Sequence, residues 1–378
     1  MPAPLITIQP PTSIMDTIYR FPTGVIEDVA RGIFQGSGSP EDEAALIAER
    51  LVISNLTGHD SHGVIRIPRY MDWLRDGTIR PGQKVDFLRD NGSTAVLTCN
   101  RGYGQVGANE AVKIAIARAR EYQIAAVGVT DLTHIGRLAD YANMAAKQDM
   151  IALIFTSTGG YSKLVAPHGG AARRMSTNPI AVGFPSDREY PLVFDMATSA
   201  YAEGKFRVFL EGGVPTPENV LLDPDGRPST DPEDLYKGGA IRPLGGEQGY
   251  KGYLLNFLVE VLGGLLTGGG FMGKEENPPF NNCTMFIVLN VATFREVPVF
   301  KQELEQFIAY LKDTPPLGGG EVLYPGEKEA RLEQDRRKNG IPLAETTIGK
   351  IQEEMFQYGV PGDLKALGTV SEGSSWKY

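Results

Sequence analysis

The sequence has few cysteines, which excludes two classes of protein. Its 378 residues include only Cys99 and Cys283, which lie far apart in the chain. Two such residues provide neither a disulfide framework nor the paired CxxC motifs of structural zinc sites. We therefore expect a protein of a reducing compartment, the cytoplasm.

Long apolar runs and an excess of positive charge are absent too. The most apolar stretch, 253–267, is interrupted by Asn256, Glu260 and a glycine pair, so we expect no membrane segment. Residues 1–13 contain four prolines and lack the apolar core of a signal peptide. The formal net charge is -9 and no long basic run is present, so we expect no nucleic-acid partner. A chain of this length is typical of an enzyme with roughly two or three domains.

Histidine is also rare, which makes its distribution informative. Two of the four histidines, His59 and His62, lie in the run GHDSHGVIR at 58–66. Arg66 follows His62 by one helical turn, a spacing that would place an imidazole and a guanidinium on one face. Imidazole titrates near neutral pH, and a guanidinium matches the geometry of a carboxylate. The pair therefore predicts a site at which a small carboxylic acid undergoes proton transfer.

From residue 94 the sequence pattern becomes that of an α/β protein. Apolar runs predict strands, and apolar residues at helical spacing predict helices. The predicted strands are 95–99, 124–129, 151–156, 191–194 and 285–290. The predicted helices begin near residue 41 and continue at 108–121, 300–312, 326–339 and 344–357.

A glycine motif at 102–107 has two interpretations. The residues GYGQVG follow a predicted strand, open a helix and precede Asp131 after the next apolar run, as in a dinucleotide-binding fingerprint. Alternatively, the glycines only meet the backbone geometry of a tight turn. The pattern alone leaves both interpretations open.

A third histidine, His134, follows a predicted strand and lies close to Arg137. Amide donors and the helix dipole favour an anion at such a strand-to-helix turn, although a lone histidine there also serves as a cap or packing residue. Together with His59, Asp60 and His62, His134 supplies enough ligands for a zinc-dependent hydrolase. Adjacent helical residues point about 100° apart, however, so we expect no metal.

Seven segments spread over nearly the whole chain provide a combined signature. They are GHDSHGVIRIPRY, GYGQVGANEA, HIGRLADYA, STNPIAVGFP, FDMATSAYAEGK, GYKGYLLNFLVEVLGGLLTGG and YPGEKEARLEQDRRKNGIPL. Together and in this order, they resemble the malate/L-lactate dehydrogenase family of the second type. The resemblance implies the family's own α/β fold, which is not a Rossmann fold and has a largely antiparallel central sheet flanked by helices. It also implies a homodimer, and a cofactor site away from the glycine motif.

The resemblance assigns roles to individual residues. His134 matches the proton donor and acceptor, His62 borders nicotinamide and substrate, and Arg66 matches the arginine that binds the substrate carboxylate. Tyr250 stands where the nearest relatives have a histidine, which leaves the cofactor preference open. The implied cofactor contacts are His62, Gly136, Arg137, Leu138, Val193, Phe194, Asp195, Met196, Ala197, Tyr250, Asn282, Gly326, Glu327, Lys328 and Glu329.

These matches imply hydride transfer between a nicotinamide cofactor and a 2-hydroxy or 2-oxo carboxylic acid of the malate, lactate or aryl-lactate type. The cofactor is NAD or NADP, with NAD slightly favoured. One alternative is an NADPH-dependent reductase of cyclic imino acids, and an alternative of another class is the zinc-dependent hydrolase. We expect both chain ends, 1–85 and 310–378, to form a mainly helical domain, and 86–309 to form a sheet-containing NAD(P)-binding domain.

Overall fold

Strands occur along most of the chain in the computed structural model, which describes residues 17–190, 192–276 and 279–370. The end segments 1–16 and 371–378 of the predicted helical domain, and Pro191 of one predicted strand, lie outside the described residues. In chain order the strands are β1 (Ile18–Phe21), β2 (Asp86–Asn91), β3 (Thr94–Thr98), β4 (Ile124–Thr130), β5 (Met150–Thr156), β6 (Ile180–Phe184), β7 (Leu192–Met196), β8 (Leu221–Leu222), β9 (Pro228–Ser229), β10 (Ala240–Ile241), β11 (Thr284–Asn290), β12 (Ile341–Ala344) and β13 (Thr369–Val370).

Helices surround these strands, and each predicted helix is confirmed to within a few residues. The α-helices are α1 (Thr23–Gly36), α2 (Glu41–Leu56), α3 (Ile67–Arg75), α4 (Gly104–Tyr122), α5 (Ala139–Ala146), α6 (Glu203–Glu211), α7 (Glu233–Tyr236), α8 (Tyr250–Val259), α9 (Val297–Lys312), α10 (Glu327–Asn339) and α11 (Glu345–Gln357). A π-helical turn, Glu260–Leu265, continues α8.

The central sheet has seven strands in the order β2-β3-β4-β11-β5-β6-β7. Neighbouring strands are antiparallel except β3 and β4, which are parallel and are joined through α4. The five predicted strands correspond to β3, β4, β5, β7 and β11. The predicted fold class, α/β with a largely antiparallel sheet and flanking helices, is confirmed.

Helices cover both faces of this sheet because side chains alternate along each strand. Phe286 of β11 belongs to the apolar cluster beneath α4 and α5, whereas its neighbour Met285 packs with Val259 of α8 on the opposite face. Buried alanines along α4, among them Ala111 and Ala115, let the helix approach the strands closely. The sheet thus forms the middle layer and presents its loops to the site.

The three glycines of the motif at 102–107 hold α4 against the protein. A Cβ atom at Gly104 would lie 2.3 Å from the carbonyl oxygen of Thr133 and 2.5 Å from that of His134. At Gly107 it would lie 2.4 Å from Sγ of Cys99. Protein atoms therefore occupy the space that a side chain would need at these positions, and the motif is a packing turn.

Both ends of the described chain contribute to a second apolar cluster. It combines residues of β1, α1, α2 and α3 with Ile341 and Leu343 of β12 and with Ile351 of α11. β1 pairs with β12 and β13 in a small antiparallel sheet. The segment around β8, β9 and β10 forms another small sheet with its own apolar cluster. None of the helices in the described ranges is both long and apolar enough to cross a membrane.

Candidate active site

The histidine-rich segment between α2 and α3 consists of two short 3₁₀ helices, Asp60–His62 and Val64–Arg66. Gly63 between them is extended, with φ -85° and ψ -156°. The expectation that His62 and Arg66 share one face of a continuous helix is therefore wrong. The two residues are nevertheless close enough that the charge of Arg66 lowers the pKa of the His62 imidazole.

Asn55 at the end of α2 fixes the path of this segment. Its side-chain oxygen accepts a hydrogen bond from the backbone N–H of Val64 at 2.8 Å, and its amide nitrogen donates to Asp60 at 2.7 Å. Arg336 of α10 donates to both carboxylate oxygens of Asp60, at 2.7 and 3.1 Å. Asp60 is therefore a structural anchor of the segment.

His134 lies in the loop between β4 and α5, which Asn282 holds in place. The side-chain oxygen of Asn282 accepts a hydrogen bond from the backbone N–H of Ile135 at 3.3 Å. The backbone N–H of Asn282 donates to the Leu132 carbonyl at 2.9 Å. Gly136 follows with φ +73°, a conformation that side chains other than glycine rarely adopt. The predicted contact Asn282 thus orients the loop that carries His134.

The rings of His62 and His134 stack on each other. Their centroids are 5.4 Å apart and their planes differ by 22°. Burial and the nearby charge of Arg66 lower the pKa of His62 to about 3 and hold the pKa of His134 well below its ordinary value. Both imidazoles are therefore neutral at physiological pH.

Arg66 is the cation beside these rings, and its terminal nitrogens are free to bind a ligand. Its Nε donates to the backbone oxygen of Ser61 at 2.6 Å, and within the described ranges it forms no salt bridge. Burial lowers the pKa of Arg66, although the guanidinium remains charged. A partly buried guanidinium that forms no salt bridge is suited to an anionic ligand.

The predicted site residues do not include Tyr70, which contacts His134. Tyr70 of α3 is in hydrogen-bond contact with His134, with 2.6 Å between its hydroxyl and Nδ1. The amide nitrogen of Gln105 donates to the same hydroxyl at 2.7 Å. A buried tyrosine requires a partner for its hydroxyl, but the sequence does not identify that partner.

A cavity of about 350 Å³ lies among β7 and the first turns of α5 and α10. His59 lines it, and its pKa is lowered to about 4 by burial and by the charge of Arg137. His62 and His134 are not in the cavity lining, but the charge of Arg137, which lines it, also lowers the pKa of His62. Six of the predicted cofactor contacts line this cavity: Arg137, Val193, Phe194, Asp195, Gly326 and Glu329.

Two carboxylates support the walls of this cavity. Asp140 forms a buried ion pair with Arg137. Asp195 accepts a hydrogen bond from the backbone N–H of Ala139, at the start of α5, at 3.0 Å. Burial raises the pKa of Asp195 to about 6, although the hydrogen bond from Ala139 and the charge of Arg137 oppose the increase.

The remaining predicted contacts occupy different positions. Leu138 is buried beside Arg137, whereas Met196 and Ala197 continue the chain beyond the cavity lining. Lys328 is exposed in the first turn of α10, and its charge reaches His59.

Two predicted contacts have other partners. The Glu327 carboxylate accepts hydrogen bonds from Lys312 at 2.6 and 2.7 Å. Tyr250 is not in the lining of the cavity, and its ring centroid is 6.1 Å from that of His168.

The zinc hypothesis lacks a ligand set in the described part of the chain. No three His, Cys, Asp or Glu side chains converge there in a way that could hold a metal ion. Asp60 forms a salt bridge with Arg336, and His134 is hydrogen-bonded to Tyr70.

Comparison with known proteins agrees with this arrangement. A family model for malate/L-lactate dehydrogenase matches residues 22–352. The chain belongs to this family. It is 34% identical over 354 residues to hydroxycarboxylate dehydrogenase B of Escherichia coli, covering 92% of this chain and 96% of that protein. It is 36% identical over 345 residues to L-sulfolactate dehydrogenase of Methanothermobacter thermautotrophicus, covering 90% and 97%.

A solved structure from the same family has a similar fold. Malate dehydrogenase from Entamoeba histolytica matches with a TM-score of 0.86 and 31% identity, covering 91% of this chain and 99% of that one. The malate/L-lactate dehydrogenase family thus accounts for both the sequence and the layered fold of the chain.

Proposed function

We propose that this protein transfers a hydride between a nicotinamide cofactor and C2 of a 2-hydroxy or 2-oxo carboxylic acid. The observation that carries this proposal is the unpaired guanidinium of Arg66 beside the stacked rings of His62 and His134. Family membership supports the same reaction class. The substrate chemistry follows from the two groups: a carboxylate for the guanidinium and an exchangeable proton for the imidazole.

The residues around the cavity fit a nicotinamide dinucleotide. A volume of about 350 Å³ lies in the range of small-molecule sites. Backbone N–H groups in the first turn of α10 and the exposed charge of Lys328 are available to a pyrophosphate, although Arg137 is paired with Asp140 and the same turn carries Glu327 and Glu329. When bound, the cofactor accepts or supplies the hydride. We keep NAD as the favoured cofactor, and binding constants for NADH and NADPH test that preference.

Arg66 positions the acid by paired, charge-assisted hydrogen bonds to its carboxylate. His134 then accepts the hydroxyl proton during oxidation, or returns a proton to the oxygen during reduction. His62 stacks on His134 and orients the carbonyl oxygen or the nicotinamide amide.

Substrate binding also changes the pKa of His134. The charge of Arg66 disfavours an imidazolium at His134 in the free protein. A bound carboxylate offsets that charge, so the pKa of His134 rises from its lowered value, although burial still lowers it.

An assay of NADH and NADPH oxidation tests this function. The panel contains pyruvate, phenylpyruvate, oxaloacetate and a cyclic imino acid, because a C=N bond requires the same hydride and a similar proton donor. We expect turnover of at least one 2-oxo acid. Turnover of the cyclic imino acid alone would replace the main proposal by the reductase alternative, and turnover of no substrate would overturn both.

We also propose a homodimer. Large apolar side chains of α8 and the following turns, each 41–60% exposed, form one surface: Leu254, Phe257, Leu258, Leu265 and Leu266. Exposed apolar patches of this kind mark protein–protein interfaces. Light scattering should give twice the chain mass for the wild type and a single mass for Leu266→Glu. A wild-type monomer would contradict the proposal.

Two further expectations remain proposals. The division into a helical domain from 1–85 and 310–378 and a sheet domain from 86–309 is supported by the separate apolar clusters. Limited proteolysis tests it, since cleavage should occur first near residue 85 and in the loop that follows α9, after Lys312. A cytoplasmic location agrees with two free, buried cysteines, and fractionation of cells tests it.

A further inference from the structure

Three buried groups form a hydrogen-bonded chain that ends at His134. The amide nitrogen of Gln105 can only donate, so the Tyr70 hydroxyl oxygen must accept the hydrogen bond between them. The Tyr70 proton is then donated to Nδ1 of His134, 2.6 Å away. In this arrangement the proton of neutral His134 lies on Nε2.

This tautomer cannot act as the base of the proposed reaction. Nε2 of His134 makes no hydrogen bond to the described residues, so it is the ring nitrogen available to a substrate. A base needs a lone pair at Nε2, which requires the ring proton to be on Nδ1. Tyr70 must then accept a hydrogen bond from Nδ1 and donate its own proton elsewhere.

The side chain of Gln105 offers that second acceptor. Its oxygen Oε1 is buried and has no hydrogen-bond partner among the described residues. Rotating the amide by 180° exchanges the positions of the nitrogen and the oxygen, so that Oε1 lies beside the Tyr70 hydroxyl. In the described orientation Oε1 gains no partner, so the bond to Tyr70 is the one hydrogen bond that holds the amide there among the described residues.

We propose that Gln105 and Tyr70 form a reversible hydrogen-bond relay that determines which nitrogen of His134 carries the proton. One orientation runs from Gln105 through Tyr70 to His134 and leaves Nε2 protonated. The reverse orientation runs from His134 through Tyr70 to Oε1 of Gln105 and leaves Nε2 as a base. Both are positioning residues that act through His134, and the catalytic consequence rests on the proposed function.

The ring nitrogens of His134 test the relay without any turnover. ¹⁵N chemical shifts of histidine-labelled, full-length protein at pH 8 distinguish protonated from unprotonated nitrogens, and His134→Gln identifies the signals. We expect intermediate shifts in the wild type. Gln105→Glu has only an acceptor, so Nδ1 should carry the proton. Gln105→Met has no acceptor, so Tyr70 should donate to Nδ1 and Nε2 should carry the proton.

The matched control is Tyr103→Phe. This tyrosine is also buried, but its hydroxyl bonds to Ser39 at 2.8 Å and not to a histidine. We expect wild-type shifts for His134 in this variant. The same tautomer in wild type, Gln105→Glu and Gln105→Met would overturn the relay, whatever the enzyme's activity.

Kinetics provide the second measurement. General base catalysis contributes about 100- to 10,000-fold, so Gln105→Met should lower kcat for hydroxy-acid oxidation at least about 10-fold with KM unchanged. An active wild type with unchanged kcat in Gln105→Met would also refute the relay. An inactive wild type would instead refute the proposed function, while the ¹⁵N shifts would still decide the relay.

Discussion

Replacing Arg66 with methionine tests the substrate site most directly. Methionine keeps an unbranched side chain but removes the charge and all five donors. The terminal nitrogens of Arg66 form no salt bridge in the described part of the chain, so the substitution removes no internal ion pair, and the internal hydrogen bond that it removes is the one from Nε to the Ser61 backbone oxygen. Losing one partner of a buried charge pair costs about 2–5 kcal/mol. This corresponds to a roughly 30- to 4,000-fold increase in KM for the acid.

The same substitution has a second effect, on His134. The charge of Arg66 contributes to the lowered pKa of this histidine, so its removal raises that pKa. For hydroxy-acid oxidation, in which His134 acts as the base, the acid limb of the profile of kcat/KM against pH should therefore move to higher pH. The dissociation constant for NADH should change little, because Arg66 is absent from the cavity lining.

Arg69→Met is the matched control for this experiment. Arg69 is exposed on α3 and lies over the ring of Trp73, with 5.0 Å from its guanidinium carbon to the ring centroid. We expect the KM for the acid to remain within about twofold in this variant, because surface substitutions have small effects. An unchanged KM in Arg66→Met, or an equal increase in both variants, would refute the assignment of Arg66 to the carboxylate.

Three further predictions address the base, the buried charges and the packing turn. His134→Ala should lower kcat about 100-fold or more while NADH still binds, and wild-type activity would remove it as the base. His59, His62 and His134 have lowered pKa values in the folded protein, so below pH 6.5 the unfolded chain binds about three more protons at these histidines than the folded protein does. Asp195, whose pKa is raised to about 6 in the folded protein, binds about one more proton in the folded state and so cancels part of this difference. The free energy of unfolding in urea should therefore fall, by roughly 2–3 kcal/mol, between pH 6 and pH 5, and a flat profile would contradict this. Gly104→Ala, which would clash with the backbone of Thr133, should destabilise by about 1–3 kcal/mol, whereas Gly24→Ala, with no atom within 4 Å, should not lower the Tm.

Much of the fold can be predicted from local sequence. The strands found from apolar runs are those buried in the central sheet, such as β4 and β11, because a buried strand requires apolar side chains on both faces. The sequence patterns missed two strands of the central sheet, the buried β6 and the edge strand β2, and β2 is the opposite case. All six of its residues are exposed at the sheet edge, and its sequence DFLRDN has no apolar pattern. Pairing with β3 forms this strand, and pairing partners are not visible in local sequence.

The site could be predicted in part, and one correct result came from an incorrect premise. His62 and Arg66 are neighbours, but not through the spacing of a helix. Asn55 and Arg336 fold the segment into two 3₁₀ turns by hydrogen bonds to Val64 and Asp60. Arg336 lies 276 residues from Asp60 in the chain, so no local pattern could reveal that contact.

The glycine motif at 102–107 has a different relation to the active site from the one that its pattern suggests. Its glycines let α4 begin directly against the backbone of the His134 loop, and the backbone N–H of Gly104 donates to Oγ1 of Thr133 at 2.9 Å. That close approach brings the next residue, Gln105, within 2.7 Å of the Tyr70 hydroxyl. A side chain at position 104 would move α4 away and separate Gln105 from Tyr70. The motif therefore holds Gln105 beside Tyr70, which is the contact that the proposed relay to His134 needs, and this role requires no contact with a pyrophosphate.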